Sequence, residues 1–146
     1  MLDDLTNLQA LLKDSTLLAT RGYIAGEWCD GENGKTFPVF NPARGDVITD
    51  VADISRTQTA EAISIAEKAQ KLWAARPAKE RSNLLRNWYN LMMENQEDLA
   101  TILTAEQGKP IEEAKGEIAY GASFIEFFAE EAKRVYGETI PGHQSD

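Results

Sequence analysis

Residues 110–137 read PIEEAKGEIAYGASFIEFFAEEAKRVYG, and this stretch decides the class of the fold. Glu112 and Glu113 follow a proline, and acids in a first turn favour a helix start because they face the positive end of the helix dipole. The glycine at 137 favours the helix end. Between these ends the apolar residues recur at helical spacing: Ala114, Ile118, Ala122, Ile125, Phe128, Ala132 and Val135. The stretch therefore predicts one long helix over residues 111–136.

A second long apolar pattern lies just before it, between Pro77 and Gly108. Its residues alternate in spacings of three and four: Leu85, Trp88, Met92, Asn95, Leu99 and Ile102. It predicts a helix over residues 78–107. Because only a short connection joins it to the next helix, the two should pack side by side and nearly antiparallel. We expect six side chains to be buried between them: Trp88, Met92, Leu99, Ile118, Ile125 and Phe128.

A shorter helix is predicted ahead of this pair. Ser55 and Gln58 have the spacing of a capping box, in which each side chain bonds the other residue's backbone N–H. The residues that follow place a narrow apolar stripe on one side: Ala62, Ile65, Ala66, Ala69, Leu72 and Trp73. The chain from Ser55 onward is therefore predicted to be mainly helical.

Residues 22–53 have the composition of β-structure. Asn33-Gly34 lies between an aromatic stretch and a β-branched stretch, and it predicts a hairpin because both residues tolerate positive φ. Pro38 lacks an amide donor and limits its strand to a sheet edge. Turn residues at 41–46 separate this strand from another, predicted over 46–53. The predicted fold is thus a β-hairpin and short strands followed by three helices, two of them long and antiparallel.

The first twenty residues carry leucines at mostly three- and four-residue spacing: Leu2, Leu5, Leu8, Leu11, Leu12, Leu17 and Leu18. They predict an N-terminal amphipathic arm over residues 1–20, ahead of a second unit over residues 21–146. Such a stripe could dock on a partner chain. Leucine stripes generally pack against their own chain, and we favour that interpretation.

The composition excludes several classes of function. The chain has 146 residues, 15 basic and 24 acidic, and a formal net charge of −9, which argues against a nucleic-acid partner because phosphate binding depends on Lys and Arg. No apolar run approaches the roughly 18 residues that a membrane span needs, and the first residues are acidic where a signal peptide is basic. We therefore expect a soluble, cytoplasmic chain with no membrane or nucleic-acid partner. One cysteine and one histidine exclude an internal disulfide and a four-ligand Cys/His zinc site.

Two residues are candidates for catalysis. Cys29 needs a nearby base to act as a nucleophile, and the one histidine, His143, is far along the chain. His143 stands among turn residues without a carboxylate to orient it. The glycines lack the spacing of a phosphate-binding loop, and many acids lie beside Lys and Arg as on a solvated helix face. The residues by themselves predict a structural Cys29 and no catalytic, cofactor-binding or metal site.

Five strings in this order resemble the N-terminal region of the NAD(P)-dependent aldehyde dehydrogenase superfamily: YIAGEW (23–28), FNPARGDV (40–47), RNWYNLMMENQEDLA (86–100), EQGKP (106–110) and KGEIAYGASFIEFFAEE (115–131). The last string, followed by YGETIPGHQ (136–144), is similar to the succinate-semialdehyde dehydrogenase branch. The resemblance covers about residues 20–146 in one register.

The resemblance implies an α/β parent enzyme with a Rossmann-like cofactor domain, and this chain would be its N-terminal part, ending before the dinucleotide-binding strands. Such enzymes oxidise an aldehyde on a catalytic cysteine and pass a hydride to NAD or NADP. The family's active-site motifs lie downstream of the segment matched by residues 140–142, so no catalytic or cofactor residue is carried onto this chain. In members of the family, backbone carbonyls hold a monovalent cation. The resemblance implies that the carbonyls of Val39 and Glu106 would be its ligands in this chain. Close packing of their two segments is the plainer interpretation.

The resemblance thus predicts the N-terminal part of an oxidoreductase that converts succinic semialdehyde to succinate with NAD(P)+. By itself this part would be inactive and would bind no cofactor. Its partner would be the remainder of the parent enzyme, or a second copy bound through exposed apolar helix faces. The alternative is a helical interaction module without chemistry, which the small residues of the last helix permit. The reading frame beyond Asp146 distinguishes the two.

Overall fold

The computed structural model describes residues 8–144, in which a short N-terminal helical segment is followed by β-structure and then by long helices. This order confirms the fold class predicted from the sequence. None of the described helices is long and apolar enough to cross a membrane. The elements in chain order are α1 (Leu8–Leu11), β1 (Gly22–Ile24), β2 (Glu27–Cys29), β3 (Thr36–Phe40), β4 (Val47–Ala52), α2 (Arg56–Ala74), α3 (Ala78–Glu94), α4 (Gln96–Gln107) and α5 (Ile111–Glu131).

The described strands form two separate antiparallel hairpins, β1 with β2 and β3 with β4. Ala25 and Gly26 make the first turn with φ of 56° and 86°, the positive values that a tight two-residue turn requires. In the second turn Gly45 has a φ of 77°. Every strand of a two-stranded sheet is an edge strand, so the place of Pro38 in β3 confirms its prediction.

The hairpin predicted at Asn33-Gly34 is wrong. Both residues have positive φ, 58° and 70°, as the prediction required. They lie, however, in a 3₁₀ turn that joins β2 to β3, and these strands belong to different sheets. Gly31 helps to fix this path, because a Cβ there would overlap the carbonyl oxygens of Lys35 and Asp53. The close approach of backbone segments therefore decides which strands pair.

Helix α2 begins with the predicted capping box. Ser55 Oγ accepts the Gln58 N–H at 3.2 Å, and Gln58 Oε1 accepts the Ser55 N–H at 3.0 Å. Gln58 also accepts the Glu32 N–H at 3.1 Å and donates to the Asp30 carbonyl at 2.9 Å. One side chain thus starts the helix and fastens the loop after β2 to it.

The single helix predicted over 78–107 is two helices, α3 and α4, because the chain breaks at Asn95. Asn95 has a φ of −104° and a ψ of 17°, outside the helical range, and its side-chain amide donates to the Leu91 carbonyl at 2.8 Å. Asparagine side chains compete in this way with the backbone for helical hydrogen bonds. The prediction missed the break because Asn95 continues the spacing of the apolar pattern.

Helix α5 ends at Glu131, five residues before the predicted end at 136. Its last turn tightens, because Lys133 and Arg134 donate their N–H groups to carbonyls three residues back, at 3.2 and 2.9 Å. Such bonds satisfy the carbonyls at a helix end. Residues 132–144 form no helix or strand, so the apolar spacing of the sequence extends past the helix.

Helices α3 and α4 run antiparallel to α5, as predicted. Arg86 in α3 bonds Glu126 near the end of α5, whereas Gln96 at the start of α4 donates to the Lys115 carbonyl near the start of α5. Small residues make the seam of this helix pair. Those buried on α5 are Ala114, Ala122 and Ala129, and those buried on α3 and α4 are Ser82 and Ala100.

The prediction that Trp88 and Phe128 are buried is wrong, because 56% and 57% of their surfaces are exposed. The other four side chains of that prediction are half-buried: Met92, Leu99, Ile118 and Ile125. Closely approaching helices leave room for alanines at their centre, so the large rings lie beside the seam rather than in it. The apolar character of a residue alone does not predict whether it lies in the seam or beside it.

The described part of the N-terminal arm packs on its own chain, as the favoured interpretation expected. Leu8 and Leu12 are buried, although only α1 and a 3₁₀ turn over 15–17 are helical. Leu2 and Leu5 lie outside the described residues. The division of the chain at residue 20 stays a prediction.

Candidate functional site

A cleft of about 350 Å³ opens where α1, the β3–β4 turn and α4 meet. The turn and the end of α4 approach closely, since a Cβ on Gly108 would lie 3.1 Å from Pro42 Cγ. The volume is near the lower end of the range for small-molecule sites, about 300–1,000 Å³. Most of the lining is apolar: Leu8, Leu11, Ala43, Val47, Ile48, Ala105 and Ile111.

Polar residues complete the lining, and one of them has an unused hydroxyl. Thr104 Oγ1 is buried and bonds no other group of residues 8–144. Asn41 Oδ1 accepts the Ala43 N–H and shapes the turn. Asp46 Oδ2 lies 2.8 Å from the Arg44 guanidinium, and this hydrogen bond lowers the pKa of Asp46 and raises that of Arg44.

The chemistry open to this cleft is limited. A small, mostly apolar group that carries one hydrogen-bonding atom could enter it and bond Thr104 Oγ1, because a buried hydroxyl without a partner is costly. Its lining includes no cysteine, histidine or lysine, and its polar side chains are Asn41, Asp46, Thr101 and Thr104. The arrangement offers a small apolar space beside a buried hydroxyl.

Asp98 fixes one wall of the cleft. The residue is 4% exposed, and its carboxylate accepts the Lys13 and Asp14 N–H groups at 3.0 and 2.8 Å. The arm that carries Leu8 is thereby tied to α4. Sequence reasoning missed this residue, although an acid inside an apolar helical pattern is a signal that could have indicated a buried acceptor.

The nominated cation ligands, Val39 and Glu106, lie in the segments that approach this cleft. The ladder of β3 and β4 shifts register between Val39 and Phe40. Glu106 is in the last turn of α4, where backbone carbonyls lack intrahelical partners. Free carbonyls of this kind suit hard cations. The contact of Pro42 with Gly108 supports the plainer interpretation of close packing, and the cation site stays a prediction.

Cys29 is half-buried at the end of β2, where it pairs with Gly22. Its thiol donates to the Gly22 carbonyl at 3.4 Å. Ile54 packs beside them, since a Cβ on Gly22 would lie 2.7 Å from Ile54 Cδ1. These are the surroundings of a packed strand pair, and a structural role for Cys29 remains the prediction.

His143 is exposed in the segment after α5. Neither the hydrogen bond of Cys29 nor the lining of the cleft involves it. Within the described part of the chain, no group of three or more His, Cys, Asp or Glu residues could hold a metal ion. The structure therefore gives the sequence candidates Cys29 and His143 no shared site.

The main electrostatic feature of the helix pair is an ion-pair network between α3 and α5. Arg86 bonds Glu126 at 2.5 Å and Glu130 at 2.6 Å, and Glu130 also pairs with Lys133 at 2.9 Å. Hydrogen bonds from Lys133 and then Arg86 lower the pKa of Glu130, while those to Glu126 and Glu130 raise that of Arg86. We name these four residues the charged flank. Two acids balance two bases, so the flank joins the helices and has no net charge to attract a ligand.

Comparison with known proteins identifies the family of this chain, which the geometry of the cleft does not. The Aldehyde dehydrogenase family profile matches residues 28–146. The glutarate-semialdehyde dehydrogenase of Pseudomonas putida is 59% identical to this chain over 135 residues. The NADP(+) succinate-semialdehyde dehydrogenase of Escherichia coli is 56% identical over 135 residues. Each alignment covers 92% of this chain and 28% of the relative.

A solved structure agrees with these relatives. The crystal structure of an NADP-dependent enzyme of E. coli matches with a TM-score of 0.87 and 56% sequence identity, over 92% of this chain and 28% of that one. The chain therefore spans a little more than a quarter of the length of the proteins it matches. Together, the sequence profile, the relatives and the shared fold confirm the resemblance seen in the five strings, and the chain belongs to the aldehyde dehydrogenase family.

Proposed function

We propose that this chain is the N-terminal part of an NAD(P)-dependent dehydrogenase that oxidises succinic semialdehyde to succinate. The observation that carries the proposal is identity above one half, along nearly the whole chain, to two semialdehyde dehydrogenases. The aldehydes named for these relatives are short and end in a carboxylate. Glutaric semialdehyde, which is one carbon longer, is therefore the competing substrate.

The role we propose for the chain itself is structural. The lining of the cleft contains no cysteine, histidine or lysine, and the one cysteine packs against Gly22 in a strand pair. Catalysis in this proposal depends on residues outside the chain. The isolated chain is then inactive towards aldehydes.

The described residues do not fit a dinucleotide. Such sites place the pyrophosphate at a helix N-terminus after a glycine-rich turn. The strand-to-helix junction between β4 and α2, residues 53–55, contains no glycine. Ser55 already caps the start of α2, and the carboxylate of Asp53 would repel phosphate. We therefore assign NAD or NADP to residues beyond this chain and derive no step through the cofactor.

The cytoplasmic location and the absence of a nucleic-acid partner belong to the same proposal. The net charge of −9 supports the second of these, because nucleic-acid binding needs clustered Lys and Arg. Fractionation of cells tests the location, and an assay of each fraction for bound nucleic acid tests the absence of that partner.

The reading frame beyond Asp146 gives the first test. Continuation into a glycine-rich strand–helix unit and a later cysteine motif supports the enzyme. A stop codon after Asp146 contradicts it and favours the alternative, a helical interaction module without chemistry.

An enzyme assay gives the second test. The protein encoded by the whole frame is assayed with succinic and glutaric semialdehyde, each with NAD+ and NADP+, beside the 146-residue chain. We expect reduced nicotinamide from the whole protein, with the higher kcat/KM for succinic semialdehyde, and none from the short chain. A higher kcat/KM for glutaric semialdehyde would overturn the substrate, and turnover by the short chain would overturn its structural role.

A further inference from the structure

The Asn33-Gly34 pair, which does not form the hairpin that its residues favour, has a chemistry of its own. In such a pair the backbone nitrogen of the glycine can attack the side-chain amide carbon of the asparagine, because glycine has no side chain to hinder the approach. Asparagine is one of the thermolabile residues of proteins. Asn33 and Gly34 are both exposed, and a Cβ on Gly34 would meet no atom of residues 8–144 within 4 Å. The described chain therefore leaves the pair open to water.

The conformation of the turn opposes this attack. Viewed along the Cα–C bond of Asn33, a ψ of 28° turns the Gly34 nitrogen nearly opposite to the Asn33 Cβ, and a five-membered ring needs the two on the same side. The Gly34 N–H also donates to the Gly31 carbonyl at 2.8 Å, although the proton must leave this nitrogen before it can attack. The turn therefore has to open before the ring can form.

Hydrogen bonds hold both ends of the turn. Before it, the Glu32 N–H donates to Gln58 Oε1 at 3.1 Å, and Gln58 Nε2 donates to the Asp30 carbonyl at 2.9 Å. After it, the Asp53 N–H donates to the Lys35 carbonyl at 2.9 Å. Local openings of exposed turns cost less free energy than global unfolding. The loop can therefore leave α2 and open while the helix pair stays folded.

We propose that Asn33 is a site of deamidation and that opening of the turn over residues 31–35 sets its rate. In the open turn, hydroxide removes the proton of the Gly34 N–H, and the nitrogen forms a bond to Asn33 Cγ. The Cγ–N bond of the side-chain amide breaks, and ammonia leaves with a proton from water, which restores the hydroxide. Water then opens the succinimide ring at either carbonyl and gives an aspartate or an isoaspartate. No oxidation state changes, so water is the one co-reactant.

The two products act differently on the front of the chain. An aspartate keeps the ordinary backbone and, like asparagine, tolerates the left-handed φ of 58° found at Asn33. An isoaspartate carries its Cβ in the main chain, which lengthens the backbone by one atom between Glu32 and Gly34. The bonds at the two ends of the turn then cannot both form. The isoaspartate product therefore holds the turn open.

Peptide mass spectrometry of the protein encoded by the whole frame tests the proposal. The protein is aged in mildly alkaline buffer, with and without urea, and the loss of the Asn33 amide is followed with time. We expect this loss to be about tenfold or more slower in the folded protein than in urea, because the folded turn is open for only part of the time. An isoaspartate-specific methyltransferase with its methyl donor measures the isoaspartate product.

Variants at the start of α2 separate the turn from the helix. Gln58→Ala removes both bonds to the loop and should raise the rate in the folded protein about tenfold. Gln58→Glu keeps the acceptor for the Ser55 and Glu32 N–H groups but loses the donor to the Asp30 carbonyl, so its rate should be intermediate. Ser55→Ala is the matched control, because it removes the helix cap and leaves the bonds of Gln58 to the loop. It should change the rate about twofold or less.

Circular dichroism establishes that the variants keep the helix content of the parent protein, and in urea all of them should react at the parent rate. Loss of the Asn33 amide that is equally fast with and without urea overturns the proposal. An Asn33 that does not react in urea overturns it as well. Equal acceleration by Gln58→Ala and Ser55→Ala also overturns it, because loosening of α2 would then explain the effect.

Hydrogen exchange tests the proposed effect of the isoaspartate. The Asp53 N–H, which bonds the Lys35 carbonyl, should exchange faster in the isoaspartate fraction of the aged protein than in Asn33→Asp. Asn33→Asp has the same charge as that fraction and an ordinary backbone, so the comparison isolates the added main-chain atom. Equal exchange at Asp53 in the two would overturn the proposal that the isoaspartate holds the turn open.

Discussion

The front of the chain, residues 22–54, and the helix pair α3–α5 both depend on small residues, but those residues meet different neighbours. In the front, Gly31 lies against the carbonyl oxygens of Lys35 and Asp53. In the helix pair, Ala122 is fully buried in a seam whose flanks are side chains. Backbone that is fixed by hydrogen bonds cannot turn aside, whereas helices and side chains can shift by a few tenths of an ångström. One added methyl group should therefore cost more in the front than in the seam.

Gly31→Ala tests the front and should have the largest effect. The new Cβ would overlap two carbonyl oxygens, and we expect the free energy of unfolding to fall by about 3 kcal/mol. Urea denaturation followed by circular dichroism measures it. Gly116→Ala is the control, because a Cβ there meets open space on α5, and it should raise stability by about 0.5–1 kcal/mol. Equal stability of the two variants would show that backbone contact is not what limits position 31.

Ala122→Leu tests the seam and should have the next largest effect. Three more carbon atoms must fit between helices that approach closely, and we expect a loss of about 2 kcal/mol, moderated because α5 can move away from α3. Gly121→Ala, one position away and with open space at its Cβ, should be neutral or stabilising in the same denaturation experiment. A loss of stability greater than that of Gly31→Ala would contradict the expectation that the seam tolerates added carbon atoms better than the front does.

Asp98→Ala tests the tie between the arm and the helix pair. Two backbone N–H groups, of Lys13 and Asp14, would lose their acceptor, and we expect a loss of about 1.5 kcal/mol. Hydrogen exchange should speed up at those two amides first. Glu61→Ala, at an exposed position of α2, should stay within about 0.5 kcal/mol of the parent chain. Unchanged exchange at Lys13 and Asp14 would mean that other contacts hold the arm.

The charged flank should give the smallest effect, because its side chains are 34–46% exposed to solvent, which screens their ion pairs. Lys133→Met should raise the pKa of Glu130 towards its ordinary value more than Arg86→Met does, since the bond from Lys133 is the larger cause of the lowering. NMR titration of the Glu130 carboxyl measures both. The reverse order of the two variants would contradict this assignment.

The pH dependence follows from the direction of the shift. The pKa of Glu130 is lower in the folded chain than in the unfolded chain, where it is about 4.3. The contribution of its ion pairs is therefore fully present above that value and is lost as the pH falls through the folded pKa. Stability from this network should not change between neutral and mildly acidic pH.

The sequence predicted features that depend on neighbouring residues. The capping box of Ser55 and Gln58 and the positive φ values of Asn33 and Gly34 all agree with the structure. The strand predicted over 46–53 contains β4. Each of these features is decided within a few residues of chain, by side-chain bonds to the local backbone or by allowed φ. The five family strings added the family, which no local rule could supply.

The candidate site could not be predicted from the sequence, because it depends on residues that are distant from one another along the chain. Its walls come from Leu8, Asn41 and Thr104, which are far apart in the sequence, and no spacing rule joins them. The residues that chemistry singled out, Cys29 and His143, share no site in the described chain. A buried hydroxyl such as that of Thr104 becomes notable only when its neighbours are known.

The sequence by itself determined where α2, α3 and α5 begin and that Asn33 and Gly34 take positive φ, because these are local preferences of a few adjacent residues. Only the tertiary structure decided that β1 pairs with β2 rather than β3, and that the alanine side of α5 faces inward while Phe124 faces out. Both sides of α5 are apolar, so the hydrophobic effect favours burying either one. The choice depends on how closely the helices approach, and small residues allow the closest approach.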